Sequence, residues 1–374
     1  MWYYWVIIRN RRGPETGDLR MLSFRMLAAA SVAIGAITLS ACAGTAASSR
    51  TGTTGEEGLS VDTVTIGYFP NVTHAPAIIG LADGHFQSAF GDEVTIKTAT
   101  FNSGTEEIEA LFAGGIDIGF IGPSPTVTGW QKSNGQALHV IAGAAANGAA
   151  LVVRDGIDTP TDLEGLTIAT PSLGNTQDVA ARHWLKEEGF TTDTEGGGDV
   201  HIQPQDNATA LTALQNGDID GAWVPEPWAT RMVEDAGAHV LVDEPDLWEG
   251  GQFVTTNVIV RTEFLNEHPD AVDAFLAGLL DTLDSIEADP ASAQATVATE
   301  IGKISGSAPK ADQLAKAWMN VVFTADPLPA TLVAQAEHAI DLGLLEETDL
   351  DGLYVLGPLN TLLQERGEKA VDER

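Results

Sequence analysis

The sequence predicts an α/β protein of two lobes, each a mainly parallel sheet flanked by helices, the two joined by a pair of crossing strands. The first sign is a duplication: the stretch from Leu111 to Ser124 lies over Leu214 to Pro227 at a constant offset of 103 residues. In each copy a helical stretch stops at a glycine suited to the left-handed position after a helix, Gly114 or Gly217. It then turns through Ile-Asp into a short apolar strand whose far end is rich in proline. The match also runs upstream. Val94 to Phe101 and Val200 to Pro204 read as strands, followed by the polar loops Asn102 to Thr105 and Asp206 to Thr209. Val64 to Gly67 with Asn71 to His74 resembles Leu166 to Ala169 with Leu173 to Thr176, so two β-α-β-α-β halves share one chain. The third sign is a pair of strand-like runs, Ala149 to Arg154 and Asn257 to Arg261, one leaving each half.

Taken in order, the chain opens with an export signal over residues 1–41. Arg25 precedes an apolar, Ala-rich run from Met26 to Ala41, shorter than a comfortable membrane span. Met1 to Arg20 forms a separate cluster, which makes Met21 the expected start, and Arg11-Arg12 lacks the apolar pair of a twin-arginine signal. Leu39-Ser40-Ala41-Cys42 resembles a bacterial lipobox, and Cys42 is the chain's single cysteine. Disulfides within a monomer are thereby excluded. Residues 42–60 read as the lipidated Cys and a Gly/Ser/Thr/Ala tether, about 20 Å end to end as a random coil. The expected lobes are 61–148 plus 258–374, and 149–257.

Within the first lobe, Val64 to Tyr68 alternates as a strand and Pro76 suits a first helical turn. Glu106, Glu107 and Glu109 load the next helix start with the negative charge its dipole prefers. Residues 262–374 are mainly helical, with starts at His268-Pro269, Asp289-Pro290 and Pro327, and are expected to fold back over the first lobe. Gly196 to Gly198 is expected as a mobile loop, since it lacks the spacing and the Lys of a phosphate cradle.

The formal net charge is −34, which excludes a nucleic-acid surface. Five of 19 basic and two of 53 acidic residues precede Cys42, so without them the balance is −37. An anionic ligand would have to be held by local dipoles against that field. In a parallel α/β sheet the loops after the strands present helix N-termini, whose free N–H groups suit anions. No nucleotide-binding, metalloprotease or serine-hydrolase motif is present, and eight His show no metal-like spacing. Neither enzymatic activity, nor a cofactor, nor a metal is expected.

Four motifs carry a family resemblance: Ile66 to Asn71 with His74-Ala75-Pro76, Gly115 to Ile118, Ala169 to Asp178, and Trp223 to Trp228. They resemble the aliphatic sulfonate, taurine and nitrate-type substrate-binding proteins of ABC importers, over about Val61 to Phe264 and more loosely in the tail. The resemblance implies a periplasmic-binding-protein-like, hinge-closing receptor that takes a small anion, most of all an aliphatic sulfonate or taurine-like compound, to a permease and its ATPase. Nitrate, bicarbonate and thiamin precursors are the alternative solutes, and a same-fold enzyme or ligand sensor the alternative roles. The enzymatic thiamin-pyrimidine synthase branch uses a cysteine-rich iron motif that one cysteine cannot supply. The expected protein is a monomer, lipid-anchored through Cys42 at the extracytoplasmic face of the membrane.

The resemblance places the ligand site in loops after strands: Asn71 and His74; Ser103, Gly104 and Thr105; Ser124; and Gly174, Asn175, Thr176 and Gln177 from the second lobe. Ser and Thr there serve equally as helix caps. Glu226 either reads an ammonium group or pairs with a structural Arg such as Arg231. Trp228 packs a ligand substituent or the core.

Overall fold

The computed structural model describes residues 58–306 and 308–372. The export signal, Cys42 and most of the tether lie outside the described residues.

Among the described residues eleven strands form two sheets. The first runs β11-β4-β10-β3-β1-β2, built from β1 (Thr63–Tyr68), β2 (Thr95–Thr100), β3 (Ile118–Ile121), β4 (Leu138–Asn147), β10 (Val254–Arg261) and β11 (Val321–Phe323). The second runs β7-β6-β8-β5-β9, from β5 (Ala149–Val153), β6 (Thr167–Thr170), β7 (His201–Pro204), β8 (Gly221–Pro225) and β9 (His239–Asp243). Each has a parallel trio, β2-β1-β3 or β7-β6-β8, extended by antiparallel strands. The trios are the two copies of the repeat.

The duplicated Ile-Asp turn has a structural use. Asp117 accepts a hydrogen bond from Thr65 N at 2.9 Å, and Asp220 accepts one from Thr167 N at 2.8 Å. Each Asp also meets the Arg that ends the antiparallel strand beside it: Arg261 at 2.8 Å and Arg154 at 2.7 Å. One carboxylate thus ties three strands in each half.

Helices cover both faces. The first lobe carries α1 (Ala75–Ala82), α2 (His85–Phe90), α3 (Gly104–Phe112) and α4 (Pro123–Lys132); the second carries α5 (Thr176–Glu187), α6 (Asn207–Asn216) and α7 (Trp228–Ala236). The tail supplies α8 (Thr262–Glu267), α9 (Pro269–Ala288), α10 (Pro290–Ser305), α11 (Ala311–Met319), α12 (Pro329–Asp341) and α13 (Gly357–Glu365). Its starts follow the sequence signals: Asp289 caps α10 by accepting from Ser292 N at 3.0 Å, with Pro290 at the first position. Strand β10 shows why both faces need cover, because Val258 and Val260 enter one core and Ile259 the other. Phe86, Phe120 and Phe275 fill the first of these cores, with Phe86 and Phe275 stacked at 4.8 Å.

The chain crosses between the sheets twice. Gly148 separates β4 from β5 at φ 73°, and a Cβ there would stand 2.5 Å from Val321. Glycine is therefore required on both counts. The return crossing occupies Glu244 to Phe253, and the chain is back in the first sheet from Val254 onward. The boundary expected after residue 257 thus falls inside β10. The stretch Gly196 to Gly198, expected as a mobile loop, is drawn in by Asp193, which accepts from Gly197 N at 2.7 Å.

Candidate functional site

The C-terminal ends of β1 and β6 face each other across the lobes, and a small cavity of about 30 Å³ lies between their loops. Asn71, His74 and Gly122 line it from the first lobe; Asn175, Thr176 and Gln177 line it from the second. That volume holds a small solute group and little more.

Each group is placed by a local device. His74 is buried and stacks on Phe69 with ring centroids 4.6 Å apart, while its Nδ1 accepts from Phe69 N at 3.3 Å. Burial lowers its pKa to about 3. The imidazole is therefore neutral, and with Nδ1 accepting, its proton sits on Nε2 as a donor. Asn71 Oδ1 accepts from Trp228 Nε1 at 3.0 Å, which leaves the Asn71 NH₂ to donate elsewhere.

Across the cleft, Asn175 caps α5 by accepting from Gln177 N at 3.1 Å. Thr176 opens that helix with its Oγ1 buried and without a hydrogen-bond partner among the described residues. A Cβ on Gly122, the residue before α4, would lie 2.5 Å from that hydroxyl. The N-termini of α4 and α5 therefore meet here, and their dipoles supply positive potential. Among the described residues that line the cavity there is no Lys, Arg, Asp or Glu. An anion would be met by neutral donors and helix ends alone.

The loop under Thr176 is held by Asp178, which is fully buried. It accepts from Thr170 Oγ1 at 2.6 Å, from Gly174 N at 2.9 Å and from Arg182 Nε at 2.9 Å.

Other sequence-expected residues fall elsewhere. Ser103 caps α3, accepting from Glu106 N at 3.4 Å. Gly104, Thr105 and Gly174 line a separate rim groove of about 570 Å³, which Asn175 also borders. Ser124 is buried in the first turn of α4, its Oγ without a partner, but does not line the cavity. Glu226 spends both oxygens on structure: Oε2 accepts from Thr230 N at 3.1 Å, and Oε1 from Thr230 Oγ1 at 2.9 Å and Asn320 Nδ2 at 2.7 Å. Burial raises its pKa against those bonds. The expected partner Arg231 lies instead over the Trp228 ring, 4.4 Å from its centroid. Trp228 does not line the cavity; it reaches across the lobes to orient Asn71.

Asn102, Asn207 and Thr255 line the cavity without having been expected. For Asn207 a signal existed: it stands 103 residues after Gly104, so the repeat itself pointed to it. Thr255 enters only because β10 returns beside the cleft.

The lobes also touch on two flanks. Lys310 meets Asp235 at 2.7 Å and Lys316 pairs with Glu234 on one; on the other Lys186 meets Asp341 at 2.5 Å and His183 stacks on His338 at 3.5 Å.

Comparison with known proteins gives the relatives. The sequence model of the NMT1-like family matches residues 57–302. The taurine-binding periplasmic protein of Escherichia coli strain K12 is 30% identical over 230 residues, covering 61% of this chain and 67% of that protein. The bicarbonate-binding protein CmpA of Synechococcus sp. is 27% identical over 252 residues, covering 61% of this chain and 54% of that protein. The matches thus span about half to two thirds of these relatives' length. Among solved structures, the alkanesulfonate-binding protein SsuA of Xanthomonas axonopodis pv. citri, bound to MOPS, superposes with a TM-score of 0.66 at 19% identity, covering 79% of this chain and 99% of that one. The two-lobed fold is shared with it.

Proposed function

The chain belongs to the NMT1-like family, and from that premise we propose that it is an extracytoplasmic solute-binding protein of an ABC importer, taking a small anion. It binds and does not catalyse. The observation that carries this reading is the meeting of two helix N-termini, from opposite lobes, around the unpartnered Thr176 hydroxyl and the neutral His74. An oxyanion between them accepts from Thr176 Oγ1, His74 Nε2, the Asn71 amide and free backbone N–H groups. Because both lobes contribute, only the closed form satisfies the anion, and affinity and closure rise together.

The solute class is an aliphatic sulfonate or taurine-like compound, in keeping with the taurine-binding and alkanesulfonate-binding relatives. A second reading rests on the cavity's volume of about 30 Å³, which suits nitrate or bicarbonate better than a chain-bearing sulfonate. The permease and its ATPase are the partners, and Cys42 carries the lipid that keeps the protein at the membrane.

Thermal-shift titration against taurine, ethanesulfonate, nitrate and bicarbonate tests the reading. A solute at about 100 times its Kd stabilises by roughly 2.7 kcal/mol. A stabilising response to none of the four overturns the anion assignment, and a response to nitrate or bicarbonate alone selects the second reading. Cys42→Ser is expected to release the protein from the membrane; unchanged retention overturns the anchor.

A further inference from the structure

A second cavity, of about 330 Å³, lies where the return crossing, α5 and α12 come together, and shares no residue with the anion site. Its walls are aromatic. Trp184 and Trp248 line it, together with the stacked imidazoles of His183 and His338, whose planes are 8° from parallel. Trp248 stands 5.7 Å from His338. Burial is the leading reason that both imidazoles sit below their usual pKa, His338 at about 4, against the opposing pull of Asp341 on both and of Glu187 on His183. Lys186, which adds to the lowering at His183, is engaged by Asp341. At neutral pH the walls therefore carry no positive charge.

The remaining polar lining is acidic. Glu187 and Glu188 are exposed at the mouth, and Glu244 is fully buried. Glu244 Oε2 accepts from Trp223 Nε1 at 2.6 Å and the Trp248 indole faces the same carboxyl, while among the described residues no well-formed hydrogen bond reaches the buried Oε1. Among the described residues no Lys or Arg lines the cavity to pair with this buried carboxyl. Burial accordingly pushes Glu244 up to about 7, a shift that the Trp223 and Trp248 indoles oppose and Asp243 adds to. Among the described residues no three His, Cys, Asp or Glu are grouped to hold a metal ion. A cation that needs no coordination sphere suits the cavity better, since aromatic faces attract organic cations and the volume falls in the small-molecule range.

We infer that this cavity is a binding site for a small organic cation, an alkylammonium or quaternary ammonium, whose charge rests between Glu244 and the faces of Trp248 and His338. The inference does not depend on the anion reading. Binding requires Glu244 ionised, so affinity rises close to tenfold per pH unit below about 7 and levels off above it.

The test is titration of the solute-free protein with tetramethylammonium chloride and with n-butylammonium chloride, against sodium chloride at equal ionic strength, followed by tryptophan fluorescence and calorimetry. The expected result is saturable binding that weakens at least tenfold in Glu244→Gln and in Trp248→Leu, and weakens from pH 7 to pH 6. Glu188→Gln, at an exposed position, is expected to weaken binding a fewfold and keeps the test open should the Glu244 or Trp248 variant fail to fold. No saturation beyond the sodium chloride control overturns the inference. Binding that is indifferent to these variants and to pH overturns it equally, by placing the cation elsewhere.

Discussion

Glu107 in the first half of the repeat and Asp178 in the second are both fully buried, yet among the described residues one has no hydrogen-bond partner and the other has three. Glu107 projects from α3 onto the paired glycines Gly67 and Gly119 of β1 and β3, where a Cβ would lie 2.8 Å or 2.6 Å from its Oε1. Ala210 occupies the corresponding position in the second half. Burial alone raises the Glu107 pKa well above the usual carboxyl range, which favours its neutral form. Asp178 belongs instead to a hydrogen-bonded ion pair with Arg182, which in turn donates to Asp193 O at 2.7 Å. His74 follows the first half's habit, being buried and neutral. The repeat thus backs one cavity loop with neutral groups and the other with paired charges, and the two should fail differently.

The largest effect is expected at Asp178. Asp178→Ala leaves Arg182 buried without its carboxylate and should cost about 3–5 kcal/mol, read by denaturant unfolding at pH 7. A loss under about 1 kcal/mol would show that the second loop does not depend on the pair.

Binding should be lost comparably from both sides. His74→Phe keeps the ring stack and removes the Nε2 donor, while Thr176→Val keeps shape and removes a hydroxyl. A hydrogen bond to a charged group is worth about 1.5–3 kcal/mol, so each should lower solute affinity roughly tenfold to a hundredfold. If only one variant weakens binding, the site belongs to one lobe.

The two neutral groups of the first half have opposite pH signatures. The folded pKa of Glu107 is raised, so its contribution is complete below the unfolded carboxyl range and is lost as pH rises toward the folded value. Glu107→Gln should therefore be more stable than the parent at pH 7 and no more stable at pH 4. For His74 the folded value is lowered from 6.5 to about 3. Stability is lost as pH falls through that window, and His74→Phe should flatten the loss. Unfolding curves across pH 3 to 8 for both variants check these signs.

The smallest effect is expected at the flanks. Lys316 is exposed, and exposed pairs contribute about 0–1 kcal/mol. Lys316→Met should change affinity only a fewfold, and less at high salt. A larger change would move the weight of closure from the cavity to the flank.

Much of this architecture was legible without coordinates. The offset of 103 residues announces two equivalent halves, because a turn and the strand after it are specified by neighbours in sequence. Gly114 and Gly217 do take positive φ, and the Ile-Asp turns lie where the pattern puts them. Asn71, His74, Asn175, Thr176 and Gln177 reach the cavity because each stands in the loop or first helical turn that follows a parallel strand. The division of Ser103 from Asn102, or of Glu226 from the cavity, was not legible. A side chain that caps a helix and one that donates to a ligand obey the same local grammar. Which role it takes depends on what the opposite lobe brings within reach, and that lies far away in sequence. Asn320, which claims Glu226, and Trp228, which claims Asn71, stand 94 and 157 residues from their partners. Local sequence determined the halves and the positions of their loops; only packing between lobes decided which polar atoms were left free for a solute.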